Sequence, residues 1–273
     1  MTCKQDSTLA PVGAEDPSPA TCRIPSSFNL GVACLDDQDC RATALTVVHI
    51  HGGTVDFTFG QVRRCADRLA ASLVERGVGR GDVVATVDLP SVTTALVHMA
   101  ALRVGAIGLP IPEMPESETL RFYLTDSAAR LVLTSGEHAP RVCAAVSGSR
   151  ATVVVPDPAA VTIGYGPSAP AYRGGIDFHP VRTSSADPAI LVYGTDRSGR
   201  TTVTRYDHRV VLERSRRSRT ESGGRSAVPP RSLDDRRKTM AFMEIIVSRW
   251  FRGLPVVATE GMVSDRPRSQ RIQ

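Results

Sequence analysis

The chain has 273 residues, of which 41% are hydrophobic and 22% are charged. At about 100–200 residues per domain, this length predicts one or two globular domains with a hydrophobic core, and it excludes a mini-protein and a wholly disordered chain. The formal net charge is +5, but residues 197–238 hold 13 Lys and Arg against 5 Asp and Glu, so the remainder is acidic at −3. The basic character therefore belongs to one stretch, and the 13 aromatic residues offer few surfaces for stacking single-stranded nucleic acid.

Targeting signals and membrane spans are not evident in the sequence. The first residues contain no apolar block of the length that a signal peptide needs, and no window reaches the ~18 uninterrupted apolar residues of a membrane span. We therefore predict a cytoplasmic protein that does not bind membranes. The six cysteines have irregular spacing and form no Cys-x-x-Cys pair, which favours free thiols.

Short apolar runs alternate with amphipathic segments from residue 28 onward. Such alternation is typical of a mostly parallel sheet with helices on both faces, so we predict an α/β fold with a partial, mostly parallel sheet. Strands are predicted at residues 43–50 and 55–59, which form a hairpin, and at 83–89, 106–111, 131–134, 151–155, 188–193 and 254–259. Helices are predicted at residues 59–76, 91–104, 117–127, 139–146 and 240–251.

Two polar residues mark predicted helix starts. Thr58 stands three residues before Gln61, which is the spacing of a capping box, and an apolar stripe that includes Cys65 follows. Asp207 precedes the apolar run at 210–212 and is predicted to cap a second helix.

The segment that follows the strand at residues 188–193 has the richest chemistry. It combines glycines, hydroxyl side chains and arginines between Tyr193 and Thr204. Loops of this kind bind phosphate, because glycine lets backbone N–H groups approach the anion while hydroxyls and a cation complete the cradle. The same composition also fits an ordinary strand-to-helix turn with a solvated basic rim.

Several motifs occur in the order and at the spacing of a known family. Residues 57–61 (Phe-Thr-Phe-Gly-Gln) and 81–85 (Gly-Asp-Val-Val-Ala) are the clearest, with Leu73 and Gly77 between them. The pattern resembles the Thr-Phe-x-Glu-Leu…Gly-Val-x-x-Gly-Asp-x-Val-Ala signature of the AMP-forming acyl-CoA synthetases, which are adenylate-forming (AMP-binding) enzymes. It continues at residues 105–110, 120–127 and 131–134, resumes at 188–212, and is faint at 240–259.

The resemblance implies activation of a carboxylic acid. In that family the carboxylate attacks the α-phosphate of ATP with Mg²⁺, pyrophosphate leaves, and the thiol of CoA then attacks the acyl-adenylate. The family's phosphate loop, Tyr-Thr-Ser-Gly-Thr-Thr-Gly-x-Pro-Lys-Gly, aligns without gaps from Tyr193. The resemblance therefore assigns the pyrophosphate end of ATP to Thr195, Ser198, Gly199, Arg200, Thr201 and Thr202.

The loop departs from the family pattern at charged positions. Asp196 replaces a glycine, and its carboxylate would repel a triphosphate. Thr202 replaces the lysine that contacts phosphate, which removes a charge-assisted contact worth ~1.5–3 kcal/mol. Arg197 or Arg200 can compensate only in part, because a planar guanidinium needs a different geometry from an ammonium. We therefore expect weak or no activity from this chain alone.

The resemblance covers only the amino-terminal portion of the family. No position corresponds to its adenine-binding loop, its ribose-binding Asp or the lysine of its mobile carboxy-terminal domain, so catalytic residues and the acid are not identified. The expected partners are ATP, a small carboxylic acid and a separate C-terminal half. The predicted organisation is a disordered leader at residues 1–27, a partial AMP-binding domain at 28–212, a disordered Arg/Ser-rich segment at 213–239, and a helix-strand remnant of the same domain at 240–273.

Two other functions fit parts of the sequence. Residues 194–201 have the P-loop spacing Gly-x-x-x-x-Gly-Lys-[Ser/Thr] with Arg200 in place of lysine, which suggests a P-loop-type nucleotide-binding protein. The arginines of residues 213–239 suggest a non-enzymatic basic interaction module, although nucleic acid is not favoured, because no nucleic-acid-binding motif accompanies the charge. His49 and His51 share one strand face, but no third metal ligand accompanies them, so no metal site is predicted.

Overall fold

The computed structural model describes residues 24–48, 53–156, 178–195, 201–217 and 235–259. Helices and strands alternate along these residues, as the sequence predicts. In chain order they are α1 (Leu30–Leu35), β1 (Thr43–Val48), β2 (Thr54–Thr58), α2 (Phe59–Glu75), β3 (Val83–Val87), α3 (Ser91–Val104), β4 (Ile107–Ile111), α4 (Ser117–Asp126), β5 (Ala129–Thr134), α5 (Ala139–Ala145), β6 (Thr152–Val154), β7 (Pro188–Thr195), β8 (Thr201–Asp207), α6 (His208–Arg217), α7 (Asp235–Phe251) and β9 (Val256–Thr259).

The larger sheet has the strand order β6-β5-β3-β4-β7-β8. Its first five strands run parallel, and β8 pairs antiparallel with β7 at one edge. Every residue of β3 and β4 is buried, because α4 and α5 cover one face of the sheet while α2 and α3 cover the other. The predicted α/β class with a partial, mostly parallel sheet is therefore confirmed.

The smaller sheet has the order β2-β1-β9. β1 and β2 form the predicted antiparallel hairpin, and β9 adds parallel to β1 from a point more than 200 residues further along the chain. The indole Nε1 of Trp250, on α7, donates a 2.8 Å hydrogen bond to the carbonyl oxygen of Ala44. The carboxy-terminal elements α7 and β9 therefore pack into the same hydrophobic core as β1 and α3.

Both predicted helix starts are confirmed. The backbone N–H of Gln61 donates to Oγ1 of Thr58, and Oε1 of Gln61 accepts from the backbone N–H of Thr58, which completes the capping box of α2. At the start of α6, the N–H of Val210 donates to Oδ1 of Asp207 at 2.6 Å. These caps fix where each helix leaves its strand.

A buried arginine joins the first three helices. The guanidinium of Arg103, on α3, forms ion pairs with Asp36 and with Asp67, the latter at 2.6 Å, and only 2% of the Arg103 side chain is exposed. Burial raises the pKa of the Asp67 carboxyl, although the charge of Arg103 opposes that shift. The ion pairs fix α1 and α2 against α3, on the face of the sheet opposite α4.

The Arg/Ser-rich segment is helical at both of its described ends. α6 continues to Arg217 and α7 begins at Asp235, so the prediction of disorder is wrong for residues 213–217 and 235–239. The stretch has no apolar stripe of its own, and α6 is held by the buried Val211 and Leu212 that precede it, with side-chain contacts to α7 beyond them. Arg214 forms a 2.6 Å ion pair with Glu244, and the guanidinium of Arg216 lies 5.1 Å from the centre of the Phe251 ring.

Three predicted regions lie wholly or largely outside the described residues. They are the leader up to residue 23, residues 157–177 within the predicted AMP-binding domain, and residues 218–234 of the Arg/Ser-rich segment. The last leader residues do contact the domain, since Ser27 forms an antiparallel bridge with Ser184 and the carbonyl oxygen of Ser26 accepts from the N–H of Ser185.

Candidate functional site

The carboxyl ends of four parallel strands meet at one edge of the larger sheet. Val87 at the end of β3 lies opposite Ile111 of β4 and Thr134 of β5. Gly108 of β4 lies opposite Ile190 of β7, and this register places Tyr193 level with Ile111. The segment after Tyr193 therefore lies at the carboxyl edge, where open α/β sheets bind their ligands.

The phosphate-loop candidate lies at the end of a β-hairpin. Thr195 of β7 is opposite Thr201 of β8, and Gly194 is opposite Thr202, with residues 196–200 between the strands. A P-loop joins a strand to a helix, whereas a strand follows this segment. The P-loop interpretation is therefore wrong, and so is the alternative of an ordinary strand-to-helix turn. β8 has mostly polar residues with no alternating apolar pattern, so the sequence does not predict it as a strand.

The residues predicted to bind phosphate do not share one environment. Ser198, Gly199 and Arg200 lie outside the described residues. Thr201 is exposed at the hairpin end, directly opposite Thr195. Thr202 is partly buried, and its Oγ1 donates a 3.1 Å hydrogen bond to the carbonyl oxygen of Gly194. Because successive strand side chains point to opposite faces, the hydroxyls of Thr201 and Thr202 lie on opposite faces of the hairpin.

Tyr193 fixes the end of β7 to α4. Its ring stacks on the ring of Tyr123 with a centroid distance of 4.5 Å, and the ring of Phe122 meets it edge-on at 6.2 Å. Its hydroxyl donates a 2.6 Å hydrogen bond to Oδ2 of Asp126. Burial raises the pKa of the Tyr193 phenol, and Asp126 raises it further, so the hydroxyl remains a donor at neutral pH. The pairing with Asp126 cannot be predicted from the sequence, because 67 residues separate the two partners and no local pattern marks it.

A second polar pair lies at the same edge. Nε2 of His138, just before α5, lies 2.7 Å from Oδ2 of Asp88, which follows β3. Asp88 has a φ of 47°, a left-handed backbone conformation that is uncommon for residues other than glycine. About a quarter of each side chain is exposed, so the pair is accessible from the surface. The sequence gives no sign of this contact, because 50 residues separate its partners.

His208 is a structural residue rather than a proton donor. Its Nδ1 accepts a 3.2 Å hydrogen bond from the backbone N–H of Leu30. Burial lowers the pKa of its imidazole to about 4, although Asp187 and Asp207 oppose the shift. His208 is therefore neutral at physiological pH and anchors α6 to α1.

The histidine pair and the arginines of the alternative basic module are described only in part by the structure. The described ranges contain no cluster of three or more His, Cys, Asp or Glu side chains that could hold a metal ion, and His49 and His51 lie outside them. Arg214 and Arg216 contact α7, and Arg214 also lies over the ring of Tyr206. These two arginines of the proposed basic module are therefore engaged within the domain.

Comparison with known families identifies the domain. Residues 36–195, more than half of the chain, match the family described as AMP-binding enzyme. The chain belongs to the AMP-binding enzyme family. The match ends at Thr195, so it includes Tyr193 and the first strand of the hairpin.

Relatives of this AMP-binding chain are much longer proteins. Chalcone synthase cfoA of Aspergillus candidus is 39% identical over 93 residues, which cover 34% of this chain and 3% of that protein. Tyrocidine synthase 2 of Brevibacillus parabrevis is 30% identical over 155 residues, which cover 56% of this chain and 4% of that protein. The chain thus spans a small fraction of the curated relatives it matches.

Solved structures share the fold of the AMP-binding chain. The crystal structure of ATP-bound MatB from Rhodopseudomonas palustris aligns with a TM-score of 0.66 at 20% identity, and the match covers 84% of this chain and 44% of that one. The chain therefore has the fold of less than half of that protein. Among the described residues, no helix is both long and apolar enough to cross a membrane.

Proposed function

We propose that this chain is the amino-terminal, ATP-phosphate-binding part of an AMP-forming acid–thiol ligase, and that it is weak or inactive alone. The observation that carries the proposal is the β7–β8 hairpin, which ends at the carboxyl edge of the parallel sheet in a chain of the AMP-binding family. The reaction is attack of a carboxylate on the α-phosphate of ATP with release of pyrophosphate, followed by transfer of the acyl group to a thiol.

The described part of the hairpin supplies polar groups suited to phosphate. Thr201 presents an exposed hydroxyl at the end of β8, and Gly194 leaves the opposite strand without a side chain. In this reaction the protein acts mainly by positioning ATP and neutralising its charge. The hydroxyl of Thr202 is already bonded to Gly194, and it brings no positive charge to the position where the resemblance expects a lysine. Weak ATP binding follows from that missing charge.

The proposal also specifies a metal ion, the substrates, a partner and a location. Magnesium would be held mainly by the phosphates of ATP, since the described residues offer no metal-binding cluster and thus no protein site that fits the ion. CoA as the acyl acceptor, a small carboxylic acid as substrate and a separate C-terminal half as partner are part of the same proposal. A cytoplasmic location agrees with the use of ATP and CoA.

Restoring the missing charge tests the proposal. We expect Thr202→Lys to strengthen ATP binding about tenfold or more, because a charge-assisted contact is worth ~1.5–3 kcal/mol. Thr204→Lys is the matched control, since it adds the same charge on the same face of β8, two residue pairs further from the hairpin end. Calorimetry measures both affinities. Absence of ATP binding in all three proteins, or equal gains in both variants, would contradict a phosphate site at the hairpin.

Activity needs a separate assay. The purified chain is expected to show no acid-dependent exchange of pyrophosphate into ATP, because it spans less than half of the ATP-bound protein whose fold it shares. The assay uses a mixture of short, aromatic and long-chain acids with Mg²⁺. Acid-dependent exchange by this chain alone would refute the proposed inactivity and would identify the acid class.

A further inference from the structure

The end of the β7–β8 hairpin projects beyond the rest of the sheet. β4 ends at Ile111, which is level with Tyr193, so among the described strands only β8 lies beside Gly194 and Thr195. An isolated two-stranded ribbon is marginally stable in water, and its twist varies more than that of a central strand. The hairpin end therefore needs an anchor outside the sheet to hold one position.

Tyr193 and α4 provide that anchor. Tyr193 is the last residue of β7 that is level with β4, and only 6% of it is exposed. Its hydroxyl reaches Asp126, the last residue of α4, while its ring stacks on Tyr123. α4 is itself held against the sheet by the fully buried Leu120 and by Leu124. The contact thus ties the hairpin to an element that is already fixed.

We propose that Tyr193 is a positioning residue, and that its hydrogen bond to Asp126 holds the hairpin end in the orientation that receives the phosphates of ATP. The inference rests on the proposed function. A binding element that is already ordered loses less conformational entropy when the ligand binds, so the tether raises affinity without touching the ligand. The phenol remains protonated at neutral pH, which keeps the donor available.

Four variants separate the tether from general stability. Tyr193→Phe keeps the stacked ring and removes the hydroxyl, and Asp126→Ala removes the acceptor. We expect each to weaken ATP binding by about three- to thirtyfold, and the double variant to be no weaker than either single variant. Asp126→Asn retains a carbonyl oxygen as acceptor and is expected to recover most of the affinity.

The matched control removes a hydrogen bond elsewhere at the same edge. Thr134→Val deletes the hydroxyl that donates a 3.1 Å hydrogen bond to the carbonyl oxygen of Val87. We expect this variant to lose stability comparably to Tyr193→Phe while it keeps wild-type affinity for ATP. An equal loss of affinity in Thr134→Val would assign the effect to stability alone and would overturn the positioning role.

Hydrogen exchange tests the tether independently of ATP. The backbone amides of Gly194, Thr195 and Thr201 are expected to exchange about tenfold faster in Tyr193→Phe, and to be unchanged in Thr134→Val. Unchanged exchange in Tyr193→Phe overturns the proposal whether or not the chain binds ATP. If the wild-type chain and Thr202→Lys both fail to bind ATP, the proposed function fails, and so does the phosphate-positioning role, while the exchange data still decide whether the tether exists.

Discussion

Gly108 of β4 leaves space for the imidazole of His98 at the centre of the sheet. The imidazole is buried between α3 and β4, with Nε2 2.9 Å from Oγ1 of Thr86 and Nδ1 against Gly108. A Cβ atom at position 108 would lie only 2.5 Å from Nδ1, so the imidazole occupies the space that a side chain on β4 would need. Close packing leaves no room for the ring to move aside without displacing its neighbours.

We therefore expect Gly108→Ala to lower the free energy of unfolding by about 1–3 kcal/mol, the usual cost of overpacking. Gly79→Ala is the control, because a Cβ there would meet its nearest atom at 3.9 Å, and we expect it to change stability by less than ~1 kcal/mol. Urea unfolding measures both. In the double variant with His98→Ala, the loss should be smaller than the sum of the single losses. Equal effects of the two alanine substitutions would contradict this packing argument.

Burial of two histidines makes the stability of the fold sensitive to acid. Burial lowers the pKa of His98 to about 3 and that of His208 to about 4, from an ordinary value of 6.5. As the pH falls below 6.5, both histidines become protonated in the unfolded chain but stay neutral in the folded chain. Stability is therefore complete above this pH and declines down to pH ~4 for His208 and ~3 for His98. Each histidine contributes up to about 1.4 kcal/mol per pH unit in that window.

The histidine contribution is measured between pH 6.5 and 5, before most carboxylates titrate. His98→Gln can still bond to Thr86 but does not titrate, so we expect it to reduce the pH dependence of the unfolding free energy by about half. Urea midpoints at three pH values give the slope. Identical slopes for the wild type and His98→Gln would show that His98 is not held neutral by the fold.

At the scale of single elements, α2 depends on its cap. Thr58 ends β2 and caps α2, so one residue turns the chain from the hairpin into the helix. We expect Thr58→Ala to cost about 1 kcal/mol of stability, and Thr58→Ser to cost much less because it retains the hydroxyl. Thermal unfolding of the two variants measures the difference. A loss as large in Thr58→Ser as in Thr58→Ala would contradict the capping role.

Elements with a regular apolar pattern could be predicted from the sequence, whereas tertiary contacts could not. The stripe of α2 and the apolar runs of β3 and β4 are local patterns, and they appear where expected. β8 was missed because an edge strand with mostly polar residues lacks the apolar face that marks a strand. The carboxy-terminal end of α6 and the start of α7 are not predictable, because their residues are mostly polar and the apolar residues that hold α6, Val211 and Leu212, lie earlier in the helix.

The candidate site, like the fold, could be predicted from the sequence only in part. The candidate phosphate loop after β7 was placed by a resemblance that covers many residues, and the family match includes that strand. The hydrogen bond between Tyr193 and Asp126 could not be predicted, because these residues come together only through the register of β4 with β7 and the packing of α4. Sequence spacing carries no information about such contacts, since several intervening elements set them.

At the scale of the whole molecule, the main core closes only when the last elements are present. Met243, Ile246, Val247 and Trp250 of α7 lie in one buried cluster with residues of α1, β1 and α3, and β9 extends the sheet that β1 begins. These contacts join the two ends of the described chain. Removing α7 and β9 would expose a large part of this cluster, and the loss of buried apolar area exceeds what a marginally stable domain tolerates.

We therefore expect a chain that ends at residue 234 to lack a cooperative thermal transition and to bind a hydrophobic dye, as loosely packed states do. Trp250→Phe in the full-length chain is the control: it removes the bond to Ala44 and some volume, costs about 1–3 kcal/mol, and should leave the transition cooperative. Circular dichroism in the near and far ultraviolet follows both proteins. A shortened chain that unfolds cooperatively at the midpoint of the full chain would show that residues 24–217 form a core without α7, and that the two ends of the molecule are independent.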